Sequence, residues 1–187
     1  TAVPVGSKVK VGQFTLTVDG NGAISELQDT LGRSWGGRAG AALLWLRYSL
    51  GTNAQMQAYR ETYCAGNIRA GDVHCNEQTY GKPGLPRNTS VLANATVRGI
   101  WSNGDVLVVE LAWARELHVE AGAPASSWLK ITAAGSALDV ELLAVNKTST
   151  RQMESMFLTL APDTPTSMQQ RGEPQPPQCD WFMDKLG

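Results

Sequence analysis

The chain has 187 residues, enough for one sizeable hydrophobic core, and two domains within it would each be small. Its 16 Lys and Arg nearly balance 17 Asp and Glu, and Lys10, Arg33, Arg38, Arg47, Lys82 and Arg87 are scattered, which argues against a nucleic-acid footprint. No apolar run approaches the roughly 20 residues that cross a bilayer as a helix, so no membrane partner is expected.

The dominant period is two, which predicts strands. Lys8 to Asp19 carries apolar side chains at Val9 and Val11, then at Phe14, Leu16 and Val18. The phase flips at Gly12-Gln13, and a bulge or tight bend there lets both halves face one core. Asp19-Gly20-Asn21-Gly22 is a turn signal, because Gly and Asn accept positive φ. Ala23 to Gln28 reads as the returning strand, with Leu31-Gly32-Arg33-Ser34-Trp35 following another turn. Leu44, Leu46, Tyr48 and Leu50 alternate with Trp45, Arg47 and Ser49 as a further strand. Met56, Tyr59 and Tyr63 share one face of a short helix over 53–63, capped by Thr52 or Asn53. It is the one helix the pattern predicts. Residues 65–90 hold scattered Gly and Pro with little periodicity and read as a long loop.

Val91 to Trp101 and Val106 to Trp113 read as a hairpin around Asn103-Gly104, and Trp128 to Thr132 and Leu138 to Val145 as another around Gly135. Met156, Leu158 and Leu160 mark a last strand, before a Pro- and Gln-rich stretch over 162–178. No internal repeat or interdomain linker interrupts this, so residues 1–187 are expected to form one all-β domain, or a fragment of one, built as an antiparallel β-sandwich. Val106-Leu107-Val108-Val109 and Leu142-Leu143-Ala144-Val145 are apolar on both faces, which predicts layers on both sides or a partner domain over one of them.

Residues suited to chemistry are sparse. His74 and His118 are the two histidines, too few for a metal site, so no metal, cofactor or catalytic constellation is expected in this chain. No nucleophile elbow or phosphate-binding glycine loop occurs. Carboxylates such as Asp139 and Glu141, two apart on a strand, read as a solvated face. Six tryptophans can stack on sugar rings; Trp45, Trp101, Trp113 and Trp128 lie in or at strands and are expected in the core, whereas Trp181 is placed for a surface or interdomain role. Asn146-Lys147-Thr148-Ser149-Thr150-Arg151 joins two apolar strands, as a polar hairpin tip or as a built hydrogen-bonding corner with Arg151 as a fork toward a carboxylate or a sugar.

Three sequons, at Asn88, Asn94 and Asn146, are candidate N-glycosylation sites and point to a secreted, extracellular or vacuolar glycoprotein. Among Cys64, Cys75 and Cys179, the first two flank a short loop and are the expected disulfide, a closure worth about 2–3 kcal/mol. Cys179 is then free or bonded elsewhere; the other reading is three thiols in a reducing compartment. The apolar final stretch and an N-terminal residue other than Met suggest a processed or partial chain.

Several stretches together resemble one family: Gly22-Ala23-Ile24 with Leu27, Gly32-Arg33-Ser34-Trp35, Tyr48, Lys82-Pro83-Gly84, Gly122-Ala123-Pro124, Val145-Asn146-Lys147 with Thr150-Arg151, and Trp181 to Gly187. The pattern is similar to the C-terminal β-region of large secreted proteins resembling family-38 glycoside hydrolases, the α-mannosidases, many of which carry a domain of unknown function. The resemblance implies a supersandwich of the galactose-mutarotase type, incomplete here because the family's β-region continues past Asp184-Lys185-Leu186-Gly187. It also implies that zinc and the catalytic aspartate belong to a separate N-terminal α/β domain. The Cys64–Cys75 loop and the Pro-Gln-rich stretch have no counterpart in the family.

The expected role is therefore a non-catalytic β-sandwich portion of a secreted glycoside-hydrolase-like protein. It would support the catalytic domain, and Asn146, Lys147, Arg151, Trp181, Asp184 and Lys185 would either contribute to a sugar site or serve as structure internal to the domain. Its partners would be the remaining segments or catalytic domain of the same protein, and glycans. The alternatives are a stand-alone carbohydrate-binding module and a structural component of an extracellular assembly.

Overall fold

The computed structural model describes residues 1–36, 41–52, 54–55, 58, 62, 90–150 and 154–162. They form two packed antiparallel sheets, the all-β sandwich that the period-two pattern predicts. One sheet contains β1 (Lys8–Val11), β2 (Phe14–Val18), β3 (Ile24–Gln28), β4 (Ser34–Gly36), β5 (Leu44–Leu50), β6 (Val91–Asn94) and β11 (Glu154–Leu160). The other runs β10-β9-β8-β7, with β7 (Thr96–Ser102), β8 (Val106–Ala112), β9 (Ser126–Ala134) and β10 (Ala137–Val145).

The phase flip at Gly12-Gln13 is a two-residue hairpin in which Val11 pairs with Phe14. Gly12 takes a φ of 58°, and a Cβ there would stand 2.5 Å from the Ala133 Cβ of the facing sheet. The flip is thereby absorbed, and Val9, Val11, Phe14, Leu16 and Val18 are all buried. β5 alternates without exception, with Leu44, Leu46, Tyr48 and Leu50 turned inward. Opposite them lie Ile100, Leu107, Val109, Leu111, Leu129 and Ile131, and the two sets close one continuous core. Each such side chain contributes about 1.5–3 kcal/mol on burial.

Two expectations are corrected. The single strand expected from Val91 to Trp101 is two strands: β6 pairs with β5, β7 pairs with β8, and Ala95 is the buried corner at which the chain changes sheet. Alternation continues through such a corner, so period alone does not reveal it. The second correction is a helix that the pattern did not predict, α1 (Arg115–Ala121). It has no side-chain N-cap and only Leu117 and Ala121 are buried, so neither a capping nor a stripe signal marks it. Gly122 ends it at φ 80°, with its N–H donating to the His118 carbonyl and that of Ala123 to the Leu117 carbonyl.

The helix expected over 53–63 is represented by helical Ala54, Gln55, Ala58 and Thr62. Thr52 caps it reciprocally: its Oγ1 accepts the Gln55 N–H at 3.1 Å, and the Gln55 side-chain oxygen accepts the Thr52 N–H at 2.8 Å. Arg151, Trp181, Asp184 and Lys185, the sequon at Asn88, the Cys64–Cys75 pair with His74, and the loop over 65–90 apart from Ser90 all lie outside the described residues.

The Asp19–Gly22 turn shows how tightly the hairpins seat on the core. Asp19 Oδ1 accepts the N–H groups of Asn21 and Ala23 at 2.8 and 2.9 Å. Gly22 has a φ of 75°, and a Cβ there would meet Leu111 Cδ2 at 2.1 Å. Gly22→Ala is expected to cost about 2–4 kcal/mol, combining left-handed strain with displacement of a core leucine. Gly104→Ala, at φ 99° but with nothing within 4 Å, is expected to cost only the backbone part, about 1–2 kcal/mol. Urea denaturation of the two variants separates the terms; equal losses would show that the Leu111 contact counts for nothing.

Candidate functional site

The stretch from Asn146 to Thr150 is a built corner at one end of the sandwich. Asn146 adopts φ 53°, a left-handed conformation that Asn tolerates better than most residues, and it turns the chain out of β10. Beyond it, the carbonyl of Thr148 would lie 2.9 Å from a Cβ on Gly122, so the corner rests against the glycine that ends α1. Lys147 folds back, its Nζ donating to the Thr148 carbonyl at 2.8 Å and to Glu154 Oε1 at 2.6 Å.

Glu154 begins β11 and faces inward, opposite Leu50. Its second oxygen, Oε2, accepts a hydrogen bond from the hydroxyl of Tyr48, whose side chain is fully buried in β5. The same hydroxyl lies 3.1 Å from the carbonyl of Ala121, in the last turn of α1, where carbonyls lack helical partners. Burial raises the Tyr48 pKa far above its ordinary range, reinforced by the hydrogen bond to Glu154 and by that carboxylate's charge. The phenol therefore stays a neutral donor. The Tyr48 ring also packs on Trp113, with centroids 5.6 Å apart, and Trp113 Nε1 donates to the buried Ser127 hydroxyl of β9 at 3.1 Å. One continuous path thus runs from Lys147 through Glu154, Tyr48 and Trp113 to the second sheet.

Asn146 and Lys147 are therefore parts of one corner, and Lys147 is committed to Glu154. Sequence reasoning missed Glu154 and underused Tyr48. The available signal was a carboxylate seven residues after Lys147, on the inward phase of the next strand.

A second polar knot holds the β3–β4 turn and explains Gly32-Arg33-Ser34-Trp35. Asp29 Oδ1 accepts the N–H groups of Leu31 and Arg33, both at 2.9 Å, while Oδ2 accepts Arg33 Nε at 2.6 Å and Trp35 Nε1 at 2.9 Å. Burial pushes the Asp29 carboxyl up, but the hydrogen bonds from Trp35, Arg33 and Leu31 outweigh it and leave its pKa below the ordinary 3.8.

The tryptophans divide. Trp113 is core, as expected, but Trp45 and Trp128 are only half-buried and Trp101 is 39% exposed. Trp101 and Trp128 lie on the outer face of the four-stranded sheet, stacked with centroids 5.9 Å apart. On the outer face of the larger sheet, Trp45 lies 5.3 Å beneath the Arg47 guanidinium. Arg47 pairs in register with Phe157 and Asn94, beside Leu92. Leu92 and Phe157 are 62% and 48% exposed, whereas Arg47 Nε is buried without a hydrogen-bond partner. β11 ends its sheet among the described strands, and its inward Leu158 and Leu160 are also exposed.

Among the described residues no three His, Cys, Asp or Glu side chains converge as a metal site, and no helix is long and apolar enough to cross a membrane. No protein-family model, curated protein or solved structure matches the chain.

Two predictions follow from the polar knots. Lys147→Met is expected to cost about 1–2 kcal/mol, because it leaves Glu154 half-buried with one oxygen unmet. Lys130→Met, which breaks the exposed 3.0 Å pair with Glu141, is expected to cost less than about 1 kcal/mol. Chemical denaturation measures both, and the reverse ranking would contradict the corner's structural role.

Asp29→Asn tests the turn. A depressed folded-state pKa gives stability that is present above the unfolded value and lost as pH falls through the folded one. The melting-temperature gap between wild type and Asp29→Asn should be widest near about pH 7 and close below about pH 4. Thermal melts across that range check it, and a gap independent of pH would remove the ionised carboxylate from the account.

Proposed function

We propose that the chain is the non-catalytic β-sandwich portion of a secreted glycoside-hydrolase-like protein, of the galactose-mutarotase type, and that it supports a separate catalytic domain. The observation that carries this reading is the uncovered apolar surface on the larger sheet. Leu92 and Phe157 are exposed on the outer face, on either side of β5, and Leu158 and Leu160 at the inner margin of β11. Isolated exposed leucines are ordinary, but four large apolar side chains left exposed on β6 and on the edge strand β11 mark an interaction surface. Between Leu92 and Phe157 the Arg47 guanidinium, seated over Trp45, adds a cationic group to the same outer face. The occupant is a further segment of the same polypeptide, seated on the outer face over Leu92 and Phe157 and wrapping the β11 edge, where Leu158 and Leu160 face inward.

The corner fits this role. Its charges are spent on one another, so it holds the sandwich rigid beneath the docked segment. Secretion with glycans at the sequons belongs to the same reading, with one restriction. Asn94 stands opposite Arg47 on the face to be covered, so it is the sequon that stays unmodified.

Hydroxyl-radical footprinting of the native protein that contains this chain, against the chain expressed alone, tests the reading. Leu92, Phe157, Leu158 and Leu160 should be protected in the native protein and reactive in the isolated chain, and peptide mapping should find Asn94 without glycan. Equal reactivity in the two samples, or a glycan on Asn94, would sink it.

A further inference from the structure

We infer that the outer face of the four-stranded sheet is a carbohydrate-binding platform centred on Trp101 and Trp128. This surface is distinct from the apolar surface of the larger sheet, and either proposal can fail without the other.

The platform is built into the sheet. Glu110 of β8 lies in register with Gly99 of β7 on one side and Trp128 of β9 on the other. A Cβ at Gly99 would fall 2.3 Å from the Trp101 ring, so that indole folds over the glycine toward Glu110. A β-bulge between Val97 and Gly99 sets the local register. The two indoles are inclined by only 23°, and Trp101 keeps an exposed surface. Stacked rings on a rigid sheet hold one another in place, so the apolar surface that Trp101 leaves exposed needs no ordering when a ligand arrives.

The charges around the rings select the ligand. Glu110, Asp139 and Glu141 share this face, and register places Lys130 next to Glu141, to which its ammonium is paired at 3.0 Å. Even with the bulge residue Arg98 counted, three carboxylates meet two cations. A nucleic acid would also stack on the indoles, but its phosphates meet net repulsion here. A neutral pyranose chain meets none: its C–H faces lie on the indoles, and its hydroxyls donate to Glu110 and the neighbouring carboxylates. A neutral oligosaccharide is therefore the occupant.

Indole N–H signals of the 187-residue chain, followed by two-dimensional NMR, test this with cellohexaose, mannohexaose and xylohexaose as probes, and decaproline as a neutral stacking control. At least one sugar should shift the Trp101 and Trp128 signals saturably, leaving that of Trp113 in place. Trp101→Ala and Trp128→Ala should each weaken that sugar about tenfold, and Gly99→Ala, which displaces the ring without removing it, should do so in the same direction. The proposal is overturned if no hexasaccharide shifts the two signals, if both alanine variants keep wild-type affinity, or if decaproline alone binds. The wild-type titration decides the matter even where a variant does not fold.

Discussion

A single buried hydroxyl ties the two sheets together at one end of the sandwich. Tyr48 projects from the middle of the larger sheet, and its hydroxyl has one hydrogen facing the Glu154 carboxylate and the Ala121 carbonyl. The first contact ties β5 to β11. The second ties β5 to the end of the helix leading into β9. Its ring meanwhile packs on Trp113, which is hydrogen-bonded into β9. A buried polar group left unmet costs about 1–3 kcal/mol, so these partners are constrained together. Lys147 completes the set by balancing the Glu154 charge.

That constraint makes one end of the sandwich polar and closed, while the outer faces carry what remains available for recognition. The two faces differ. The larger sheet shows exposed aliphatic and aromatic side chains beside the Arg47 guanidinium, a surface that suits protein. The smaller sheet shows stacked indoles beside Glu110, on a face that also carries Asp139 and the Lys130–Glu141 pair, a surface that suits neutral polyols. A supporting domain with a sugar-holding outer face joins the two proposals without requiring chemistry from the chain itself.

Much of the fold was legible in the sequence because strands write their burial directly into alternation. β5 is the clearest case, and the Gly12 hairpin follows from a phase break at a residue able to take positive φ. The sheet change at Ala95 was not legible, since a corner with one small buried residue leaves the alternation intact. α1 was missed because a seven-residue helix without a side-chain cap has too little apolar stripe to register. The site was half legible. Lys147 stood out as polar between apolar strands, but its partner Glu154 is defined by strand phase, and the second partner of Glu154, Tyr48, lies 106 residues away in sequence. Trp101 and Trp128 looked like core because strand tryptophans usually are; only sheet register shows both on the outer face, with Trp101 folded over Gly99.

A double-mutant cycle with Tyr48→Phe and Glu154→Gln, read by equilibrium denaturation, measures the tether most directly. If the hydroxyl and the carboxylate form one stabilising unit, the double variant should lose less stability than the sum of the single losses, with a coupling energy of about 1–3 kcal/mol. Additive losses, with coupling near zero, would show that the two groups are neighbours without being partners, and the account of how this sandwich is held would be wrong.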